Sequence, residues 1–433
     1  MQNHNHEVDI TDLSHDGRGV ARIDGKTVFV AGALPGERVR LGRVQHHRNF
    51  DESKAEEILV RSPQRIEPRC AHFGHCSGCS LQHLPPEAQI AAKQHVLAEN
   101  FERIGKVAPD RWLEPLTGEP WGYRRKGRLS VKWVAKKDKA LVGFREDNPR
   151  FVADLARCHT LLPEVGERLA DLGALVGSLE ARAEIAQIEI AAGDETVALT
   201  FRNLRPLSDG DRAALVAFGQ RHGLAILLQP GGPDSVVPLW PEQVPLSFRI
   251  PASGIDIAFR PLDFIQVNAG MNQRMIARAL ELLDLRASDR VLDLFCGLGN
   301  FTLPIARLAG EVVGVEGEAA LVARSRENAT RNGIAGAEFH AADLAADQRG
   351  TAWAQARYDK LLLDPPRSGA AAVLEYLPRK GTDRVVYVSC HPGSLARDAG
   401  TLVTRHGFRL VAAGVMDMFP HTAHVESIAL FER

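Results

Sequence analysis

The chain has 433 residues, 45% of them hydrophobic and 25% charged, an ordinary globular composition with room for about three domains. No segment reaches the roughly 18 apolar residues needed to cross a bilayer, which argues against a membrane protein. A net charge of −1 excludes binding to nucleic acid through overall charge alone, so any such surface has to be local.

The polar segment from Met1 to Asp12 lacks the apolar core of a secretory signal, so the expected compartment is the cytoplasm, where thiols stay reduced. Residues 7–60 read as short strands between glycine turns: Glu7–Leu13, Gly19–Ile23, Thr27–Val30, Glu37–Val44 and Ala55–Val60. Asp16-Gly17, Asp24-Gly25 and Pro35-Gly36 are strong turn dipeptides. Five short strands in about 55 residues predict a small barrel of the oligonucleotide-binding type.

Ser62–Arg69, with two prolines, reads as a linker into a cysteine-rich loop, Cys70-x5-Cys76-x2-Cys79. Three cysteines this close in a reduced compartment point to a metal rather than to disulfides, with Cys158 as the fourth ligand. Zinc and an iron–sulfur cluster both accept four thiolates, and His72, His75 and His83 stand nearby as rival ligands. Pro85 and Pro86 then open a helix whose buried stripe is expected to be Ile90, Leu97, Phe101 and Ile104.

Between Trp121 and Cys158, eleven Lys or Arg face four Asp or Glu, whereas between Leu161 and Leu199 eight acids face two bases. A basic stretch interleaved with Trp121, Tyr123, Trp133 and Phe144 suits phosphates and stacked bases; a solvated strand face with core aromatics gives the same pattern. Residues 118–257 mix strand and helix. From about Arg260, strands at 290–295, 311–316, 337–341, 358–363 and 384–389 alternate with helices, the mark of a doubly wound α/β sheet.

The first of these strands runs into Phe295-Cys-Gly-Leu-Gly299, with a helix expected over Asn300–Leu308. Two glycines let a ligand approach the backbone, and Glu316, at the end of the next strand, is placed to hold ribose hydroxyls. A dinucleotide site wants a third glycine, but Thr302 stands there, so a ribose-bearing ligand without pyrophosphate, such as S-adenosylmethionine, fits better. Asp343 closes the third strand, where an adenine edge would lie. Asp364 and Cys390 end the fourth and fifth strands. A helix starting near Ser394 would point its positive end at Cys390 and favour a nucleophilic thiolate. Cys296, inside the glycine loop, reads as a small side chain beside the cofactor.

These motifs together resemble the RNA 5-methyluridine methyltransferases, and within them the bacterial 23S ribosomal RNA type. Ser389-Cys390-His-Pro-Gly-Ser-Leu-Ala-Arg-Asp398 resembles the nucleophile motif, with His391 where the family usually has Asn. Asp364-Pro-Pro-Arg-Ser-Gly369 resembles the acidic loop, Phe264-Ile-Gln-Val-Asn268 a cofactor-contacting segment, and His424-Val-Glu426-Ser the motif that carries the general base. The resemblance covers essentially the whole chain. It implies Cys390 and Glu426 as catalytic residues and Gln266, Phe295, Asn300, Glu316, Asp343 and Asp364 as contacts for S-adenosylmethionine. It also implies a [4Fe-4S] cluster on Cys70, Cys76, Cys79 and Cys158. The implied architecture is a TRAM barrel over 1–63, an α+β central domain over 64–257 and a Rossmann-like catalytic domain over 258–433. The helix at about 86–105 is expected to pack on the catalytic domain. The implied partner is 23S ribosomal RNA, and the protein is expected to act as a monomer. Transfer RNA as substrate, a non-catalytic RNA-binding protein and an NAD-dependent oxidoreductase with an iron–sulfur cluster are the competing readings. The last lacks its third glycine and leaves the barrel unexplained.

Overall fold

The computed structural model describes residues 6–377 and 381–433, so the first five residues of the expected barrel segment lie outside the described residues. Among the described residues the strands form four sheets. The first is built from residues 7–60 and closes on itself. Glu7–Asp9 pairs with Arg38–Leu41, while Asp12–Leu13, a few residues on, pairs with Gly19–Ile23 at the opposite edge. The turn between them is held by Ile10 N–H on Glu37 C=O and Thr11 N–H on Val20 C=O, both 2.8 Å. One predicted strand thus becomes two, and the pair removes both sheet edges. Val8, Ile10, Ala21, Val28, Val30 and Val39 fill the interior.

The central sheet runs Lys139–Gly143, Lys126–Val134, Ile185–Ala192, Val197–Asn203, Ala225–Leu228 and Val237–Trp240, and is covered by helices Leu169–Ser178 and Asp209–His222. A hairpin, Ser247–Ile250 with Ile255–Ala258, puts Phe248 and Ile257 into the same core as Met275 and Val291.

The largest sheet orders its strands Ala337–Ala341, Glu311–Glu316, Arg290–Leu294, Lys360–Leu363, Arg384–Ser389, Glu426–Glu432 and Arg409–Met416. The first five are parallel and Glu426–Glu432 is antiparallel to both neighbours. Strand alternation sends Val291, Val312 and Val386 to one core and Leu292, Val313 and Val385 to the other, so both faces are covered.

Helix Pro86–Asn100 lies on this sheet, far along the chain from it, and Arg111–Trp112 adds a short strand beside Arg409–Met416. Ile90, Leu97 and Phe101 are buried as expected, but Ile104 is 53% exposed. The cause is a π turn over Phe101–Gly105, whose i→i+5 spacing rotates Ile104 away from the stripe. Close packing explains the turn's end: a Cβ on Gly105 would lie 2.5 Å from the Ala396 carbonyl oxygen. The helix expected over Asn300–Leu308 is shorter, Thr302–Ala306, because the glycine turn runs on to Phe301.

Candidate active site

The carboxyl ends of the parallel strands gather the predicted residues on one edge. Phe295, Asp364 and Cys390 each follow directly on a strand, Glu316 ends one, and Asp343 stands two residues past another. In open α/β sheets this edge, at the point where strand order reverses, is where ligands bind. The loop after Leu294 is built from left-handed residues, with φ of 67° at Phe295, 54° at Gly297 and 90° at Gly299. Gly297 N–H donates to the Glu316 carboxylate at 3.1 Å, as does Glu318 N–H, so Glu316 is pinned across the loop. Asp343 accepts from Ala345 N–H at 2.9 Å.

Asn300 exchanges two amide hydrogen bonds, 3.0 and 2.9 Å, with Asn272 in the first turn of helix Ala269–Leu283, which Asn268 caps. The segment before that cap carries Gln266, and Phe264 beside it is 70% exposed. Its backbone is held by Arg125: Nε donates to Gln266 C=O at 3.1 Å and N–H to Val267 C=O at 2.9 Å. Beneath the edge, Asp293 is fully buried, accepts from Thr302 Oγ1 at 2.5 Å and leaves Oδ1 without a partner. Burial, with Asp364 and Glu316 adding to it, pushes its carboxyl up to about 7. An edge of three carboxylates with an orphaned buried oxygen repels pyrophosphate and fits a ligand that brings positive charge.

The nucleophile candidate sits opposite the base candidate. Ser389 pairs with Ser427 across antiparallel strands, and Cys390 and Glu426, each one residue further along, lie close enough for the Glu426 charge to act on the thiol. Burial, then the charges of Glu426 and Asp364, push the Cys390 thiol up to about 11. The helix Pro392–Thr404 does begin beside it, and desolvation and the two carboxylates act against the thiolate that the helix end favours. Glu426 is 7% exposed; burial, with Asp364 adding to it, pushes its carboxyl up to about 8 against the opposing charges of Lys93 and Arg367. Burial likewise pushes Asp364 to about 7. His391 caps the helix, its Nδ1 accepting from Ser394 N–H at 3.1 Å and lying 2.9 Å from Ser394 Oγ, a role an Asn side chain also fills. Cys296 is buried, which suits a packing role.

A cleft of about 1480 Å³ opens onto Cys390 and His424 and runs past Ser77–Ser80 to the barrel residues Arg22 and Phe29. Arg124, Arg128 and Arg145 of the basic stretch line it, as does Arg367. The interleaved aromatics do not form the expected stacking row. Trp121 stacks on His421 at 3.8 Å, Tyr123 is buried with its hydroxyl on Pro420 C=O, and Trp133 packs on the central core beneath Arg182. Phe144 alone of the four lines the cleft.

Cys70, Cys76, Cys79 and Cys158 line one small cavity with Phe73, Phe144 and Leu155. Burial is the main cause that pushes Cys76 to about 11 and Cys79 to about 12, with the neighbouring thiols adding to it. Among the described residues no group of three or more His, Cys, Asp or Glu is placed to hold a single metal ion. The donor set is four soft thiols without a carboxylate, which fits a thiophilic group broader than one ion. Of the rival ligands, His72 accepts from Ala156 N–H at 3.3 Å and His83 is fully buried against Phe73, outside the cavity lining.

Sequence reasoning passes over Asn272, Gln89 and Lys93. Lys93, 2% exposed, pairs with Asp417 at 2.6 Å. The signal available was Gln89-x3-Lys93, a polar pair breaking an apolar helix face.

Fold and site together define an α/β RNA methyltransferase. The family model described as tRNA (Uracil-5-)-methyltransferase matches residues 248–433, and that of the TRAM domain matches 1–41. The fold is similar to that of the Pyrococcus abyssi tRNA (uracil-54, C5)-methyltransferase in complex with S-adenosyl-L-homocysteine, with a TM-score of 0.75 and 22% identity over 98% of this chain and 100% of that one. The chain is 64% identical over 427 residues to the 23S rRNA (uracil(1939)-C(5))-methyltransferase RlmD of Xanthomonas euvesicatoria, covering 98% of this chain and 96% of that protein. It is 62% identical to the protein of the same name from Stenotrophomonas maltophilia, over 99% of this chain and 97% of that one. The chain belongs to this family of 23S rRNA uracil-C5-methyltransferases.

Proposed function

We propose that the chain transfers a methyl group from S-adenosylmethionine to carbon 5 of one uracil in 23S ribosomal RNA, the counterpart of uracil 1939 in its relatives' names. The observation that carries this is 64% identity over 98% of the chain to a relative named for this reaction, and the nearness of Cys390 and Glu426 at the sheet's ligand edge supports it. Carbon 5 of uracil is a weak nucleophile. Addition of the Cys390 sulfur to carbon 6 makes an enolate and turns carbon 5 into a nucleophile. S-adenosylmethionine, when bound, supplies an electrophilic methyl on a positively charged sulfur. After transfer, Glu426 takes the carbon 5 proton and the thiol is eliminated. Burial raises the thiol to about 11, so attack requires that its proton pass to solvent in the open cleft as the uracil binds; Arg367 is a cation in the cleft whose charge favours that loss.

Gln266, Phe295, Asn300, Glu316, Asp343 and Asp364 would hold S-adenosylmethionine, with the acidic edge answering its positive charge. Cys70, Cys76, Cys79 and Cys158 would hold a [4Fe-4S] cluster in a structural role, cross-linking the 70–79 loop to the region of Cys158. No helix among the described residues is long and apolar enough to cross a membrane. The enzyme works as a monomer in the cytoplasm, where its RNA is made, and its barrel and central domain hold that RNA.

Mapping 5-methyluridine in the 23S RNA of a deletion strain tests the activity. One site should lose its methyl group and regain it with the wild-type gene but not with Cys390→Ala. Loss of methylation in transfer RNA instead would favour the transfer RNA reading.

A further inference from the structure

We infer that Gln89, Lys93 and His421 form a clamp that sets the loop 417–425, and that through this loop they govern proton abstraction by Glu426. The inference rests on the reading of Glu426 as base. Gln89 and Lys93 stand four residues apart on helix Pro86–Asn100, hence on one face, and both are at most 2% exposed. The Lys93 side chain is spent on the chain segment that leads into Glu426, and that of Gln89 is shared between this segment and the carbonyls of Leu81 and Leu84.

Lys93 Nζ donates to Asp417 Oδ1 at 2.6 Å and to Phe419 C=O at 3.0 Å. Gln89 Oε1 accepts from His421 N–H at 2.8 Å, and its Nε2 donates to Leu81 and Leu84 C=O at 3.0 and 2.8 Å. The same Nε2 lies 3.2 Å from His421 Nδ1. His421 C=O in turn accepts from Ser80 and Leu81 N–H, both at 2.9 Å, and Ser80 Oγ accepts from Ala423 N–H at 3.0 Å. Trp121 stacks on the His421 ring from the other domain.

His421 has a φ of 67°, a left-handed backbone that a residue with a Cβ adopts only where its surroundings over-determine it. Here six hydrogen bonds and a ring stack do so, drawn from the helix, the loop after Cys79 and the basic stretch. Five residues after this fixed point the chain reaches Glu426, the first residue of its strand, paired with Met416 next to the clamped Asp417, so both ends of the loop meet at the base, whose charge reaches the Cys390 thiol. The Lys93 charge also favours the ionised form of Glu426, as a base needs. The loop itself lines the cleft at Phe419 and at residues 422–425, so RNA affinity is expected to move with it. Thiol attack at saturating RNA belongs to the strand ending at Ser389, to which no clamp side chain bonds. A loosened clamp should therefore slow the last chemical step while sparing the first.

The test uses the full-length enzyme, S-adenosylmethionine and a 23S RNA fragment with ordinary uridine. Adduct formation and product release are followed separately in single turnover, at concentrations that saturate RNA binding, by denaturing electrophoresis. Gln89→Leu and His421→Asn should form the adduct within about threefold of the wild-type rate but release product on the order of tenfold to a hundredfold more slowly, so that adduct accumulates as in Glu426→Gln. If Gln89→Leu does not fold, His421→Asn carries the test, because Asn tolerates the left-handed backbone. Formation and release falling together, or neither changing, overturns the clamp. If Glu426→Gln alone accumulates adduct, the clamp fails and the base stands. If Glu426→Gln releases product normally, the base assignment fails and the clamp falls with it.

Discussion

Cys390 and Cys79 are both thiols that burial pushes far above the ordinary range, to about 11 and about 12, yet their surroundings differ in kind. Around Cys390 stand two carboxylates and Arg367, on an open cleft at a strand end. Around Cys79 stand other thiols, Gln82 and apolar side chains, in a cavity of its own. Burial is common to both. What separates a nucleophile from a ligand is the presence of groups that can move a proton and a cleft through which a substrate can reach the sulfur.

The two sites should therefore come apart under mutation. Cys390→Ala should lower methylation by roughly 10⁴-fold or more, as removal of a covalent nucleophile does, while retaining all iron and sulfide. Glu426→Gln should lower turnover about 10²- to 10⁴-fold and accumulate RNA-linked protein, which a denaturing gel reads directly. Release of product from preformed adduct should also depend on pH with a defined sign. Glu426 is held near 8, and only its ionised form accepts the proton, so release should rise about tenfold per pH unit up to about 8 and level off above it.

At the other site the effects are smaller on chemistry and larger on the metal. Protein purified without oxygen should be brown, with about four iron and four sulfide per chain, and Cys76→Ser should lose both. Its melting temperature should fall by several degrees, and RNA should bind more weakly because Arg124, Arg128 and Arg145 lie next to the loop. Affinity for S-adenosylmethionine should change by less than about threefold. Stoichiometric zinc without iron would reject the cluster while keeping the four-cysteine site. The smallest effect is expected at His391. His391→Asn keeps the helix cap and should leave turnover within about twofold at neutral pH, read as kcat.

Much of the catalytic edge was legible because strand ends in a parallel sheet are marked twice, by apolar runs and by the polar residue that stops them. Glu316, Asp343, Asp364 and Cys390 stand at such ends, whereas the apolar Phe295 was marked only by the resemblance. Glu426 was not: it begins an antiparallel strand, and only its motif distinguished it from a surface acid. The barrel strands were found, but a bend that splits one strand between two edges leaves no compositional trace. Ile104 was misplaced because a π turn shifts the helical period without a sequence signal. Of the two readings of the basic stretch, core aromatics rather than stacked bases hold for Tyr123 and Trp133, while the choice could not be made locally, since burial of Tyr123 and stacking of Trp121 on His421 depend on chain segments some 300 residues apart. The role of Gln89 and Lys93 was hidden for the same reason: the sequence shows a polar pair on one helix face but not its partners, Asp417, Phe419 and His421.

The claim on which the rest depends is that the sulfur of Cys390 attacks the uracil ring. Incubation of the wild-type enzyme with S-adenosylmethionine and a 23S RNA fragment carrying 5-fluorouracil at the target blocks removal of the carbon 5 substituent and traps the adduct. Digestion and mass spectrometry of the trapped complex should place the nucleotide on the peptide containing Cys390. A nucleotide on Cys296 or on a cysteine of the 70–79 loop, or no covalent complex while ordinary RNA is still methylated, would contradict it.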